Sequence, residues 1–132
     1  MRKTGKFLAP LLAAMLLIGC GKKETLVVVV ERVDVVCVHD GETLLRTYSQ
    51  SPKMTALLSY LQWLAPKHRA DCDPEKLPGD IYQLTLFLSD GGKTVYRQKT
   101  NGYLQKNNGP WGNINPEKGV LLYTLLEQME SD

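Results

Sequence analysis

Residues Leu26–Tyr48 read LVVVVERVDVVCVHDGETLLRTY. Val27 to Val30, Val33, Val35 and Val36 form a long β-branched run, and side chains branched at Cβ favour extended backbone. Asp40-Gly41 then supplies the positive φ angles of a tight turn, and Glu42 to Tyr48 returns as the second strand of a hairpin. Ser51-Pro52 follows, a hydroxyl N-cap with proline at the first helical position. Met54, Leu57, Leu58, Leu61 and Leu64 recur at helical spacing until Pro66 ends the helix.

The pattern then begins again. After a polar loop over residues 67–79, Tyr82, Leu84, Leu86 and Leu88 alternate along a strand, Asp90-Gly91-Gly92 turns the chain, and Thr94 to Lys99 returns. Asn101-Gly102 marks another turn and Tyr103 to Lys106 a short third strand. Asn115-Pro116 caps a last helix bearing Leu121, Leu122, Leu125, Leu126 and Met129. The two halves read as a ββα/βββα duplication, against which stands the fact that capping and helical period alone generate much of the match. The expected fold is α+β: a single antiparallel sheet of about five strands, two helices on one face, and a second face partly open to water.

The stretch before this domain has a different character. Arg2, Lys3 and Lys6 precede an apolar run from Phe7 to Ile18, which is shorter than the ~20 residues that span a bilayer. A basic segment followed by a short apolar one is the layout of a secretory signal. Leu17-Ile18-Gly19-Cys20 resembles the lipobox of bacterial lipoproteins, where a signal peptidase cuts before a lipid-modified cysteine. That resemblance implies three segments: residues 1–19 as a removed signal, 20–25 as lipidated Cys20 with a short spacer, and 26–132 as the domain. It also implies a membrane partner reached through acyl chains on Cys20, and a location on the extracytoplasmic face of the cell membrane. Gly21 after Cys20, in place of aspartate, is similar to outer-membrane sorting in a cell with two membranes. The spacer from Gly21 to Thr25 reaches at most ~18 Å, so the domain would ride close to the bilayer.

Removing residues 1–19 takes Arg2, Lys3 and Lys6 from the 16 basic residues and none of the 14 acidic ones, leaving a charge of −1. The basic balance of the full chain belongs to the signal, and nothing in it points to nucleic acid. No nucleophile-elbow, phosphate-loop or metalloprotease motif occurs, and Asp71, Asp73 and Glu75 read as a solvated acidic turn. A non-enzymatic domain without a cofactor is expected, with a protein or peptide as partner. A metal-binding lipoprotein and a structural envelope component are the alternatives.

The metal reading rests on Cys37 and His39 on one strand and His68 and Cys72 in the loop, since two thiolates and two imidazoles suit zinc. Outside the cytoplasm Cys37 and Cys72 would more readily form a disulfide, and a third state leaves both thiols free with Cys37 in the core. Four aromatic residues are candidates for a binding surface. Trp63 lies opposite the apolar stripe of its helix, where it is either a partner anchor or, the preferred reading, covered by the loop from Pro66 to Pro78. Tyr96, Tyr103 and Trp111 would form an aromatic patch on the open sheet face, Trp111 alternatively plugging the sheet beneath its glycine-rich loop. Finally, the hairpin Tyr82-Gln83-Leu84-Thr85-Leu86-Phe87-Leu88-Ser89-Asp90-Gly91-Gly92-Lys93-Thr94-Val95-Tyr96-Arg97 resembles that of PepSY-type and β-lactamase-inhibitor-like modules. The resemblance implies a small secreted α+β fold and protein binding, and it carries over no individual binding residue.

Overall fold

A computed structural model describes residues 27–132; the readings of the signal, Cys20 and the spacer fall outside the described residues. Strands β1 (Val30–His39) and β2 (Glu42–Ser49) form the expected hairpin, with Asp40 at φ 51° and Gly41 at φ 80° in the turn. Helix α1 (Pro52–Leu64) starts where Ser51 accepts a hydrogen bond from the Met54 amide, and stops at Ala65, whose φ of 41° breaks the helical path before Pro66. A 3-10 turn (Pro74–Lys76) interrupts the following loop. Then come β3 (Ile81–Leu88), β4 (Lys93–Lys99), β5 (Tyr103–Lys106) and β6 (Trp111–Asn113), and after them α2 (Pro116–Gly119) and α3 (Leu121–Gln128).

All six strands join one antiparallel sheet in the order β2-β1-β3-β4-β5-β6. The first strands of the two halves, β1 and β3, lie side by side inside the sheet, flanked by β2 and β4. Sequence periodicity missed β6. Three residues between Gly109-Pro110 and Ile114 carry no alternation of their own, and β6 is held instead by long-range partners. On its outer side Ala70 N–H donates to Trp111 O (2.8 Å), Asn113 N–H to His68 O (2.7 Å) and Lys67 N–H to Asn113 O (3.1 Å). This approach is so close that a Cβ on Gly112 would stand 2.9 Å from the Pro66 Cβ.

Val33, Val35 and Cys37 of β1, Tyr82, Leu84 and Leu86 of β3, and Leu104 of β5 share one face of the sheet and are buried against Leu57, Leu61 and Leu64 of α1 and Leu122 and Leu126 of α3. Both long helices therefore cover the same face, as expected. Each helix reaches across to the other half's strands. The end of α1 lies near Tyr96, Leu104 and Gly112 of β4–β6, whereas Arg46 and Tyr48 of β2 donate to the carbonyls of Leu126 and Met129. One buried amide links the layers: Gln98 accepts from the Tyr60 hydroxyl (2.6 Å) and donates to Gly119 O (3.0 Å) and Thr100 O (2.9 Å). The last helix is broken at that junction, where a Cβ on Gly119 would come within 2.2 Å of Asn101 O.

The loop after α1 leaves the helical layer, passes around the β6 edge and lies on the opposite face. Three contacts fix it there: Arg97 Nη1 to Glu75 Oε2 (3.1 Å), Lys99 Nζ to Gly79 O (2.9 Å) and the Cys72 thiol to the Tyr103 hydroxyl (3.8 Å). It covers the part of that face around Lys99, Tyr103 and Trp111 and leaves the β1–β3 part open. Among the described residues, no helix is long and apolar enough to cross a membrane.

Candidate functional site

Successive side chains of a strand point to opposite faces, so the pairing register determines what the helix-free face displays. Leu45, Val36, Gln83, Arg97, Gln105 and Trp111 are consecutive cross-strand partners and make one row across all six strands. At one end the row is apolar and open: Val36 is 44% exposed, its partner Leu45 60%, and Val38, two residues along the same strand, 55%. At the other end Trp111 is only 9% exposed. The duplicated apolar pairs Val35-Val36 and Leu44-Leu45 account for the open end, because each turns one member toward the core and the other to solvent, while the loop covers Trp111 at the far end.

Two shallow depressions lie on this face. One, of about 650 Å³, runs past Val36, Val38, Asp80 and Ile81. The other, of about 380 Å³, is lined by Val95, Asn107 and Asn108. Gln83 and Arg97 line both, so the two form a continuous groove that is apolar at one end and amide-rich at the other. Arg97 is held from several sides. Its Nη1 donates to Glu75 Oε2 and Gln105 Oε1, both at 3.1 Å, and its guanidinium carbon lies 5.6 Å from the centre of the Trp111 ring.

The proposed aromatic patch does not form. Tyr96 pairs with Leu84 and packs on the helical core, while Tyr103 and Trp111 belong to the other face, under the loop. Trp63 remains 46% exposed, contrary to the preferred reading, because the loop that was to cover it departs for the far side of the sheet. Lys118 attends it instead, with Nζ 4.7 Å from the indole centre and donating to Trp63 O at 3.0 Å.

The cysteine and histidine set is likewise separated. Cys37 is buried on the helical face, Cys72 is exposed in the loop on the opposite face, and both thiols are free. The sheet between them rules out the disulfide in this conformation. His39 turns to the helical side, stacks on Tyr123 of α3 with ring centres 4.2 Å apart, hydrogen-bonds Asp80 through Nδ1 and places Nε2 3.4 Å from Asp40. His68 sits beside β6, its carbonyl engaged by Asn113. The four residues therefore do not converge, and among the described residues no group of three or more His, Cys, Asp and Glu side chains is arranged to hold a metal ion.

Local environments give these groups structural roles. Burial pushes the Cys37 thiol up to about 11, aided by the nearby Asp80 charge, so it stays protonated and unreactive at neutral pH. The Asp80 hydrogen bond raises the His39 pKa above its ordinary value, with the Asp80, Asp40 and Glu127 charges adding to it. In the acidic loop, Asp73 caps the 3-10 turn by accepting from Glu75 N–H and Glu75 pairs with Arg97. No protein-family model matches this chain, and no curated protein or solved structure matches it significantly.

Proposed function

We propose that this chain is a lipid-anchored, extracytoplasmic binding module that presents its helix-free sheet face to a protein or peptide and catalyses no reaction. The observation that carries this reading is the strip Val36, Val38 and Leu45, three large apolar side chains side by side on adjacent strands and exposed to solvent. Such a contiguous apolar surface, rimmed by polar groups, is the usual mark of an interaction site. Here Asp40, Gln83 and Arg97 supply polar groups beside it.

The anchor position suits this arrangement. With acyl chains on Cys20, the start of β1 would be the part of the domain joined to the anchor, and its ten residues run ~33 Å at 3.3 Å per residue. Val36 and Val38 stand in its second half, away from the end that joins the spacer. Two acyl chains would hold the protein there firmly.

The test combines acylation with surface substitution. Metabolic palmitate labelling is expected on the wild type and not on Cys20→Ala. Crosslinked membranes are expected to yield a discrete partner with the wild type and to lose it with Val38→Lys/Leu45→Lys, while the thermal midpoint stays within a few degrees. Retention of the same partner by the double variant would refute the role of this face, and absence of label would refute the anchor.

A further inference from the structure

Arg97 stands where the apolar and amide-rich halves of the groove meet. Its guanidinium is fixed through a single nitrogen, since both hydrogen bonds, to Glu75 and Gln105, come from Nη1. Among the described residues no group engages Nε or Nη2. Those two nitrogens form a planar fork whose spacing matches the two oxygens of a carboxylate, and a guanidinium already immobilised loses little freedom on using it.

The surrounding charge favours the same ligand. Lys99 lies two residues further along β4 on the same face, is 4% exposed, and donates its ammonium to the carbonyl of Gly79 without forming a salt bridge among the described residues. Nearby carboxylates have partners of their own: Glu75 pairs with Arg97, Asp73 caps the 3-10 turn, and Asp80 and Asp40, which line the apolar end of the groove, both face His39. Arg97 and Lys99 thus place two cations on this face, and among the described residues Glu75 is the one carboxylate paired with either.

We propose that Arg97 is a carboxylate-recognition residue, binding an aspartate or glutamate side chain or a free C-terminus of an extended peptide laid across the sheet. Val36, Gln83 and Arg97 are successive cross-strand partners. With strands ~4.8 Å apart, the carboxylate sits about 10 Å from the side chain resting on Val36, roughly three residues of extended chain. The proposal rests on the peptide-binding reading of this face and adds the chemistry of its ligand.

The test is selection from a degenerate hexapeptide library by the full chain purified in mild detergent, with free-acid and C-terminally amidated arms. The expected result is enrichment of an apolar residue about three positions from an aspartate, a glutamate or the free terminus, at least tenfold over the asparagine or amide counterpart. The two arms distinguish side chain from terminus. Arg97→Gln should abolish the acidic preference, and Glu75→Gln, which removes the competing carboxylate without touching the fork, should strengthen it severalfold. Apolar enrichment with no acidic preference, a preference that survives in Arg97→Gln, or no gain in Glu75→Gln would overturn this inference alone. No enrichment of any kind would overturn the peptide-binding reading as well.

Discussion

Replacing Val35 and Val36 in turn by alanine should produce very different losses of stability, although the two residues are neighbours of identical chemistry. Val35 is 1% exposed and packed between the sheet and the helices. Its truncation removes two carbons' worth of burial, ~1.6 kcal/mol at 0.8 kcal/mol per methylene, and leaves an enclosed void. The total is about 2.5 kcal/mol. Val36 is 44% exposed, so just over half of the same transfer term applies, and no cavity forms because the site opens to water. Its loss should stay below about 1 kcal/mol. Urea unfolding followed by tryptophan fluorescence reads the difference: with a slope of about 2 kcal/mol per molar, the midpoint should fall by ~1.2 M for Val35→Ala and by less than ~0.5 M for Val36→Ala. Lysine substitutions should sharpen the contrast, with Val36→Lys folded and Val35→Lys unfolded by a charge it cannot pair. Equal shifts, or the reverse order, would refute the assignment of the two sheet faces.

Gly119→Ala should destabilise by about 2–3 kcal/mol, because the added Cβ would meet Asn101 O at 2.2 Å and disturb the Gln98 link; a midpoint equal to wild type would contradict that packing. The raised His39 pKa sets a pH dependence. The Asp80 pair should contribute fully below the unfolded histidine value of about 6.5 and be lost as pH climbs through the raised folded value, so urea midpoints should decline across that window in wild type but not in His39→Gln. A decline that persists unchanged in the variant would assign it to other groups. In a Cys20→Ser chain, a maleimide reagent should modify Cys72 under native conditions and Cys37 only after unfolding, with two free thiols in total; recovery of a Cys37–Cys72 disulfide would contradict the placement of these residues on opposite faces.

Much of this architecture was legible in the sequence, because its signals are local. Asp40-Gly41 announces a hairpin, Ser51-Pro52 and Asn115-Pro116 announce helices, and Leu57, Leu61 and Leu64 mark the buried stripe. What escaped depends on contacts distant in the chain. Strand β6 exists because residues 67–70 staple it from outside, and no property of Trp111-Gly112-Asn113 announces that. The same path sends the loop past Trp63 to the other face, which parts Cys72 from Cys37 and buries Trp111 in place of Trp63. The groove left one readable trace. In Val35-Val36 and Leu44-Leu45 both parities of a strand are apolar, an arrangement that must put hydrophobic side chains outside a one-sided core. Arg97 gave no such sign, since its importance comes from the register that sets it between Gln83 and Gln105.

The central claim, that the helix-free face is the working surface, is tested most directly by in-cell photocrosslinking with benzoylphenylalanine placed singly at Val38 and at Val120. The second position is 49% exposed on the helical side, so both probes meet solvent and only the face differs. The account predicts a discrete membrane-associated adduct from position 38 and none from position 120. An adduct from position 120 alone, or none from position 38, would contradict it.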